Sequence, residues 1–466
     1  MNDHATYADV IDTPDAAAAL PASAHHAPTG PPGVAVPPDG SGSPALSSSD
    51  IIALDARVNA PIYHSLPVVA VRAEGSHIWD IEGRRYLDMM SAYSAVSFGH
   101  ANPRLLAALV DQAGKLAVTS RAVHSDQLAP FLAEVVRVTG LDRALPMNTG
   151  AEAVETAIKA ARKWAMKVKG VPDGTAEIIV FENNFHGRTT TLISFSSHPE
   201  YRAGFGPLTA GFVRVPYGDL AATKAAINKR TCAILVEPIQ GEGGVIVPPE
   251  GFLRGLRDLC DQEHMLLIAD EIQTGLGRTG KTLALEHEGV RADGVCLGKA
   301  LGGGLLPVSA FVGTEELMTV FQVGDHGSTF GGNALAARVG LEALRVLQDE
   351  GLSERATVSG EQVQGWLLNA AHPAIVDVRG RGLMLGVELV GTIDAQTVCD
   401  RLMDAGVLTK LTHRNTLRLS PPLTTSLDDL KWGVDTLLKV LSEVYGNVSS
   451  TVLTKAPTKA LNQGEN

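Results

Sequence analysis

Five short apolar runs shape the middle of this chain: EIIVF at 177–181, CAILV at 232–236, MLLIA at 265–269, GVCL at 294–297 and VSAFVG at 308–313. They read as buried strands, and the stretches between them carry helical spacing. The segment 151–168 places Val154, Ala157, Ile158, Ala161, Ala165 and Val168 on one helical face, after a turn and cap at Asn148, Thr149 and Gly150. Strands alternating with helices predict α/β layers around a mostly parallel sheet. Beyond about residue 345 the pattern changes. Leu383, Leu385, Val387 and Leu389 alternate as in a half-exposed strand, and 427–445 forms an amphipathic helix, which predicts a second, smaller domain.

At 466 residues and 45% hydrophobic, the chain can bury a large core in two or three domains. Its formal charge is −12, and its Lys and Arg residues are scattered singly, so no basic stripe exists to follow nucleic acid. No run of about eighteen apolar residues escapes interruption by charge, Gly or Pro, which argues against a membrane span. Cys232, Cys260, Cys296 and Cys399 lie far apart, as buried hydrophobes in a reducing cytoplasm would. The histidines, His100 and His326 among them, lack metal-ligand spacing, so no metal is expected. Residues 1 to about 50, rich in Ala, Pro, Gly and Ser and without Lys or Arg, read as a disordered tail, and 449–466 likewise.

The stretch GLGRTGKT at 275–282 has the spacing of a nucleotide phosphate loop. Its context does not fit an ATPase. A phosphate loop leaves its strand directly into the first Gly, whereas here Asp270, Glu271, Ile272, Gln273 and Thr274 intervene, and two acids there would repel a triphosphate.

Asp270 sits just past the apolar run 265–269, where a parallel sheet presents its ligand-binding edge. Lys299 follows VCLG and precedes ALGGG, so an amine leaves a buried strand directly into a glycine-rich turn. Burial and nearby positive charge lower a lysine's pKa, giving a neutral amine that can condense with a carbonyl. A carboxylate nearby suits a pyridinium nitrogen, the arrangement that pyridoxal phosphate needs. The start of NTGAEAVETA offers free N–H groups to an anion.

With these residues in place, the chain resembles the class III pyridoxal-phosphate aminotransferases. The likeness runs through MNTGAEAVETAIKAARKW, NNFHGRT, VEPIQGEGG, ADEIQTGLGRTGK, LGKALGGGLLPVSA and HGSTFGGN, and covers about 55–445. The resemblance implies fold type I: a large domain at 91–344 with a mostly parallel seven-stranded sheet, a smaller α/β C-terminal domain at 345–448, and an N-terminal segment at 51–90 packed with the small domain. It implies that Lys299 holds pyridoxal 5′-phosphate and shuttles a proton, and that Asp270 keeps the ring nitrogen protonated. Gln273 would touch the ring oxygen, Phe185 would stack on the ring, and Gly150 and Ala151 would bind the phosphate. Ser328 and Thr329 would reach that phosphate from the partner subunit of a homodimer or larger assembly. IYHSLPV and SAYSAVSFGH point to the branch of the family that acts on ornithine, with 2-oxoglutarate as acceptor. There Tyr63 and Arg188 would hold the α end of ornithine, and Tyr93 would discriminate against shorter ω-amino acids. Arg418 would bind the α-carboxylate of 2-oxoglutarate and pair with Glu242 while ornithine is bound. N-acetylornithine and 4-aminobutyrate are the competing amine donors on the same fold. Two departures stand out: His186 occupies a place where some members carry Trp, and the N-terminal tail has no counterpart in the family pattern.

Overall fold

The computed structural model describes residues 46–413 and 415–454, and its largest sheet is built from the apolar runs. Its strands are β1 (Arg143–Met147), β2 (Glu177–Phe181), β3 (Phe212–Val215), β4 (Thr231–Val236), β5 (Leu266–Asp270), β6 (Gly294–Leu297) and β7 (Ser309–Gly313). Their order is β1-β7-β6-β5-β4-β2-β3. Pairing is parallel from β6 across to β3, and β7 alone runs against its neighbours. Side chains alternate between two cores: Ile234, Val236, Leu267 and Ala269 face one, while Ala233, Leu235, Leu266 and Ile268 face the other. Burial on both sides explains why these strands read as continuous apolar runs. β1 escaped the sequence reading because RALPM carries a charge and a proline. It lies at the sheet edge, where a strand tolerates a missing N–H donor.

The helix Gly150–Trp164 covers one face, and Thr149 with Glu152 forms a reciprocal capping box at its start. A π-helical turn, Ala165–Lys169, follows it. The wider turn rotates Val168 off the expected apolar face, and it is 43% exposed.

Two small sheets flank this unit's sequence. Ile375–Arg381, Met384–Leu389, Thr416–Leu419 and Lys410–Thr412 pair antiparallel in that order. The strand expected to be half-exposed at 383–389 is instead interior to this sheet. Met384, between Leu383 and Leu385, is fully buried against Ile239 and Val245, so both faces of the strand are covered. In the other sheet, Arg85–Asp88 pairs parallel with Val407–Leu408, joining the N-terminal segment to the C-terminal part of the chain. The helix Leu427–Thr454 buries Leu430, Val434, Leu437 and Leu441. The tails expected at 1–50 and 449–466 lie mostly outside the described residues; where described, 48–50 and 449–454 are helical.

The segment 275–282 does not form a phosphate cradle. The N–H groups of Leu276 and Gly277 bond to the carbonyls of Thr282 and Lys281, and a 3₁₀ turn, Ala284–Glu288, follows in place of an α-helix. All four cysteines are buried and unpaired. Among the described residues, no helix is long and apolar enough to cross a membrane.

The helix Leu352–Asn369 contains two glycines with opposite constraints. A Cβ at Gly360 would lie 2.0 Å from the Gly382 carbonyl oxygen, whereas one at Gly365 would meet nothing within 4 Å. Gly360→Ala is expected to cost about 2–3 kcal/mol by overpacking. Gly365→Ala should be neutral or stabilise by up to about 1 kcal/mol. Denaturant unfolding of the two variants checks the difference in sign.

Candidate active site

The carboxyl ends of β4, β5 and β6 open onto one pocket. Asp270 closes β5, in register with Cys296 of β6, and Lys299 follows two residues beyond the end of β6. Lys299 begins its turn at φ 43°, a left-handed conformation that a non-glycine residue adopts at a cost. Burial, reinforced by the positive charge of Arg418, outweighs the pull of Glu242, Asp270 and Glu237 and lowers its pKa to about 8. A substantial share of this amine is therefore neutral near physiological pH.

Asp270 is 5% exposed and doubly engaged. Its Oδ1 accepts from the Ile272 N–H at 3.1 Å, and its Oδ2 lies 2.6 Å from His186 Nδ1. Burial alone would lower the His186 pKa, but the hydrogen bond and charge of Asp270, with Glu237 beyond, raise it above its ordinary value. Glu237, just past β4, accepts from the Phe185 N–H at 3.0 Å, and burial pushes its pKa up to about 7.

The other walls depend on close backbone approaches. A Cβ at Gly241 would overlap Gln273 Oε1 at 1.4 Å, so only glycine lets Gln273 lie there. A Cβ at Gly150 would meet Ile272 at 3.0 Å, which brings the start of the helix Gly150–Trp164 against the loop after β5. The N–H groups of Gly150 and Ala151 have no hydrogen-bond partner among the described residues, and both residues line the pocket with Phe185, Gln273 and Lys299.

Tyr63, Tyr93, Arg188, Glu242 and Arg418 line an adjoining chamber that also reaches Lys299. Arg418 is 3% exposed; one of its guanidinium nitrogens donates to Glu242 and the other has no partner. Its charge outweighs the effect of burial and holds the Glu242 carboxyl below the usual carboxylate range. Thr412 Oγ1 donates to the carbonyls of Gly241 and Glu242 at 2.8 and 3.1 Å, fixing the loop that carries the acid. Tyr93 sits 4.7 Å under the Arg418 guanidinium. Arg188 lies 3.6 Å over the ring of Tyr201, and no carboxylate among the described residues pairs with it. Ser328 and Thr329 do not join this pocket. They line a separate cavity, where Ser328 Oγ accepts from Asn148 Nδ2 at 2.9 Å.

The profile described as "Aminotransferase class-III" matches residues 58–441. The chain belongs to the class-III aminotransferases. An ornithine aminotransferase of Bacillus cereus (strain Q1) is 51% identical to it over 397 residues, covering 85% of this chain and all of the relative. An ornithine aminotransferase of Toxoplasma gondii, solved with pyridoxal phosphate at partial occupancy in its active site, superposes with a TM-score of 0.85 at 41% identity; the match covers 86% of this chain and 96% of that one. An acetylornithine aminotransferase of Elizabethkingia anophelis superposes with a TM-score of 0.78 at 44% identity, over 85% of this chain and 100% of that one. The seven-stranded sheet and its flanking sheets are thus the fold type I architecture of this family.

Sequence reasoning about this aminotransferase left out the contacts of His186, Glu237 and Tyr201. Glu237 carried a usable signal, an acid directly after a buried strand, as Asp270 did. His186 and Tyr201 carried none, since their partners lie 84 and 13 residues away on other segments.

Only the neutral Lys299 amine is nucleophilic, and its fraction rises as pH climbs through about 8. In cofactor-free protein, labelling of Lys299 by an amine-directed reagent should therefore titrate near pH 8, well below ordinary lysines. Glu242→Gln removes a charge that raises this pKa, so the midpoint should move lower. Mass spectrometry of labelled peptides reads both shifts.

Proposed function

We propose that this enzyme transfers the δ-amino group of L-ornithine to 2-oxoglutarate, giving glutamate 5-semialdehyde and glutamate, with pyridoxal 5′-phosphate held at Lys299. The base of the pocket fits that cofactor: a depressed-pKa amine, a buried carboxylate backed by the His186 imidazole, an aromatic wall at Phe185 and two unengaged helix N–H groups. When bound, the cofactor supplies an electron sink for the carbon that loses its proton. Lys299 takes that proton from the substrate carbon and returns it, acting as base and then acid. Asp270, fixed by Ile272 and His186, would pair with the ring nitrogen and favour its protonated form. Gln273 would contact the ring oxygen, and Gly150 and Ala151 would hold the phosphate through their N–H groups.

The observation that carries the substrate reading is the contrasting state of two arginines in one chamber. Arg188 has no carboxylate partner and can grip the α-carboxylate of ornithine, with Tyr63 beside it. Arg418 is covered by Glu242, which neutralises it while a cationic amine is bound. Withdrawal of Glu242 frees a buried guanidinium for 2-oxoglutarate, and the unpartnered nitrogen of Arg418 is already available to an acceptor. Tyr93 lines the chamber and discriminates ornithine from shorter ω-amino acids. Likeness to the ornithine aminotransferases supports this assignment.

The likeness to an acetylornithine aminotransferase favours N-acetylornithine as the alternative amine donor. A steady-state panel separates the two. Ornithine should exceed N-acetylornithine and 4-aminobutyrate by about tenfold or more in kcat/KM. Equal or better turnover of either competitor overturns the assignment.

We also propose that the working unit is a homodimer in which Ser328 and Thr329 complete the phosphate seat of the partner subunit, because neither reaches the Lys299 pocket of its own chain. Ser328→Ala should then release the cofactor more readily on dialysis, while the dimer persists in sedimentation. The four buried, unpaired cysteines suit a reducing, cytoplasmic setting.

A further inference from the structure

Four consecutive non-glycine residues, Ser91, Ala92, Tyr93 and Ser94, have φ values of 41°, 46°, 58° and 75°. L-residues rarely form even one left-handed helical turn, because each Cβ crowds the following carbonyl. Such a turn persists only where its surroundings over-determine it. This one carries Tyr93, so whatever holds the turn also sets the wall of the substrate chamber.

The holding group comes from the segment whose spacing suggested a phosphate loop. Arg278, 0% exposed, donates from one terminal nitrogen to Ser91 Oγ at 3.2 Å and to Ser97 Oγ at 2.8 Å. Ser97 in turn donates to the Ser94 carbonyl at 3.0 Å, so a single nitrogen engages both ends of the turn. The other terminal nitrogen donates to the carbonyls of Leu383 and Pro421 at 3.1 and 2.6 Å. Pro421 lies just beyond the strand Thr416–Leu419, which carries Arg418, and Ser91 Oγ also donates to the Ser420 carbonyl at 2.6 Å. Asp88 closes the approach to the turn, its Oδ1 accepting from the N–H groups of Met90 and Ser91. No carboxylate pairs directly with Arg278 among the described residues. Both of its terminal nitrogens go to hydroxyls and carbonyls that locate backbone, while its buried Nε has no partner among the described residues.

We propose that Arg278 is a positioning residue for substrate choice: it clamps the left-handed turn Ser91–Ser94 to the end of the Arg418 strand and so fixes Tyr93 across Arg418. The inference rests on the reading of this chamber as the amine-substrate site, and it adds that the discriminating tyrosine is held from the loop after β5. Loss of the clamp lets the turn relax toward ordinary backbone, which moves Tyr93 while leaving Lys299 and Asp270 in place.

The test is a double-mutant cycle on holoenzyme. Ser97→Ala removes one arm of the clamp with little change in volume, and Arg278→Lys removes the fork; if Arg278→Lys does not accumulate as folded protein, Ser97→Ala carries the test. Ser97→Ala should retain the visible absorbance of the bound cofactor and raise KM for the preferred amine more than it lowers kcat. Its ratio of kcat/KM between that amine and 4-aminobutyrate should fall by about threefold or more, and this loss should vanish in a Tyr93→Leu background. A Ser97→Ala variant that keeps the ratio, or whose loss simply adds to that of Tyr93→Leu, overturns the proposal. Wild-type amine preference is read separately, so a wild type that prefers N-acetylornithine sinks the ornithine assignment while the coupling between Ser97 and Tyr93 is still measured.

Discussion

The parallel register between β5 and β6 is the constraint on which the rest of the site depends. It aligns Ile268 with Gly294 and Asp270 with Cys296, so a carboxylate and an amine emerge side by side from the same edge of a dry sheet. A slip of one residue in either strand would turn that strand's side chains to the opposite face and break this alignment. Beside that alignment, Gly298 and Gly150 both approach Ile272 closely, at 3.3 and 3.0 Å for an added Cβ, and Lys299 takes a left-handed conformation.

Electrostatics at this edge is a balance of opposed effects. Three acids, Glu242, Asp270 and Glu237, would each keep Lys299 charged, yet burial prevails and the amine is released near neutrality. Glu237 is itself carried up to about 7, so it need not remain ionised beside Asp270. The result is one carboxylate, Asp270, tied to His186 and the Ile272 N–H, and a second, Glu237, that can go either way near neutrality.

Much of the architecture was legible because buried strands have few ways to look. Two of the five apolar runs, 177–181 and 294–297, matched their strands outright, and the other three matched to within a residue at either end. β1 and β3 were not legible: an edge strand with Pro146 and a short strand with Arg214 lack the signal that burial on both faces imposes. The exposure of 383–389 was misread because alternation in sequence did not reveal that Met384 has its own small core. Within the site, Lys299 and Asp270 stood out as charges at the ends of apolar runs. Arg278 received no role in the sequence, where its segment drew notice only for a phosphate-loop spacing whose context did not fit, since nothing in GLGRTGK says that its arginine points inward to hydroxyls 181 and 187 residues away.

The buried cysteines have a consequence for how this enzyme meets oxidants. Burial pushes the thiols of Cys232, Cys260 and Cys399 up to about 12, and that of Cys296 well above its ordinary value. The thiolate, which is the reactive form, is therefore disfavoured at all four positions. Peroxide or oxidised glutathione thus meets four buried, unpaired sulfurs held in their unreactive protonated form, which turns oxidative chemistry away from these positions.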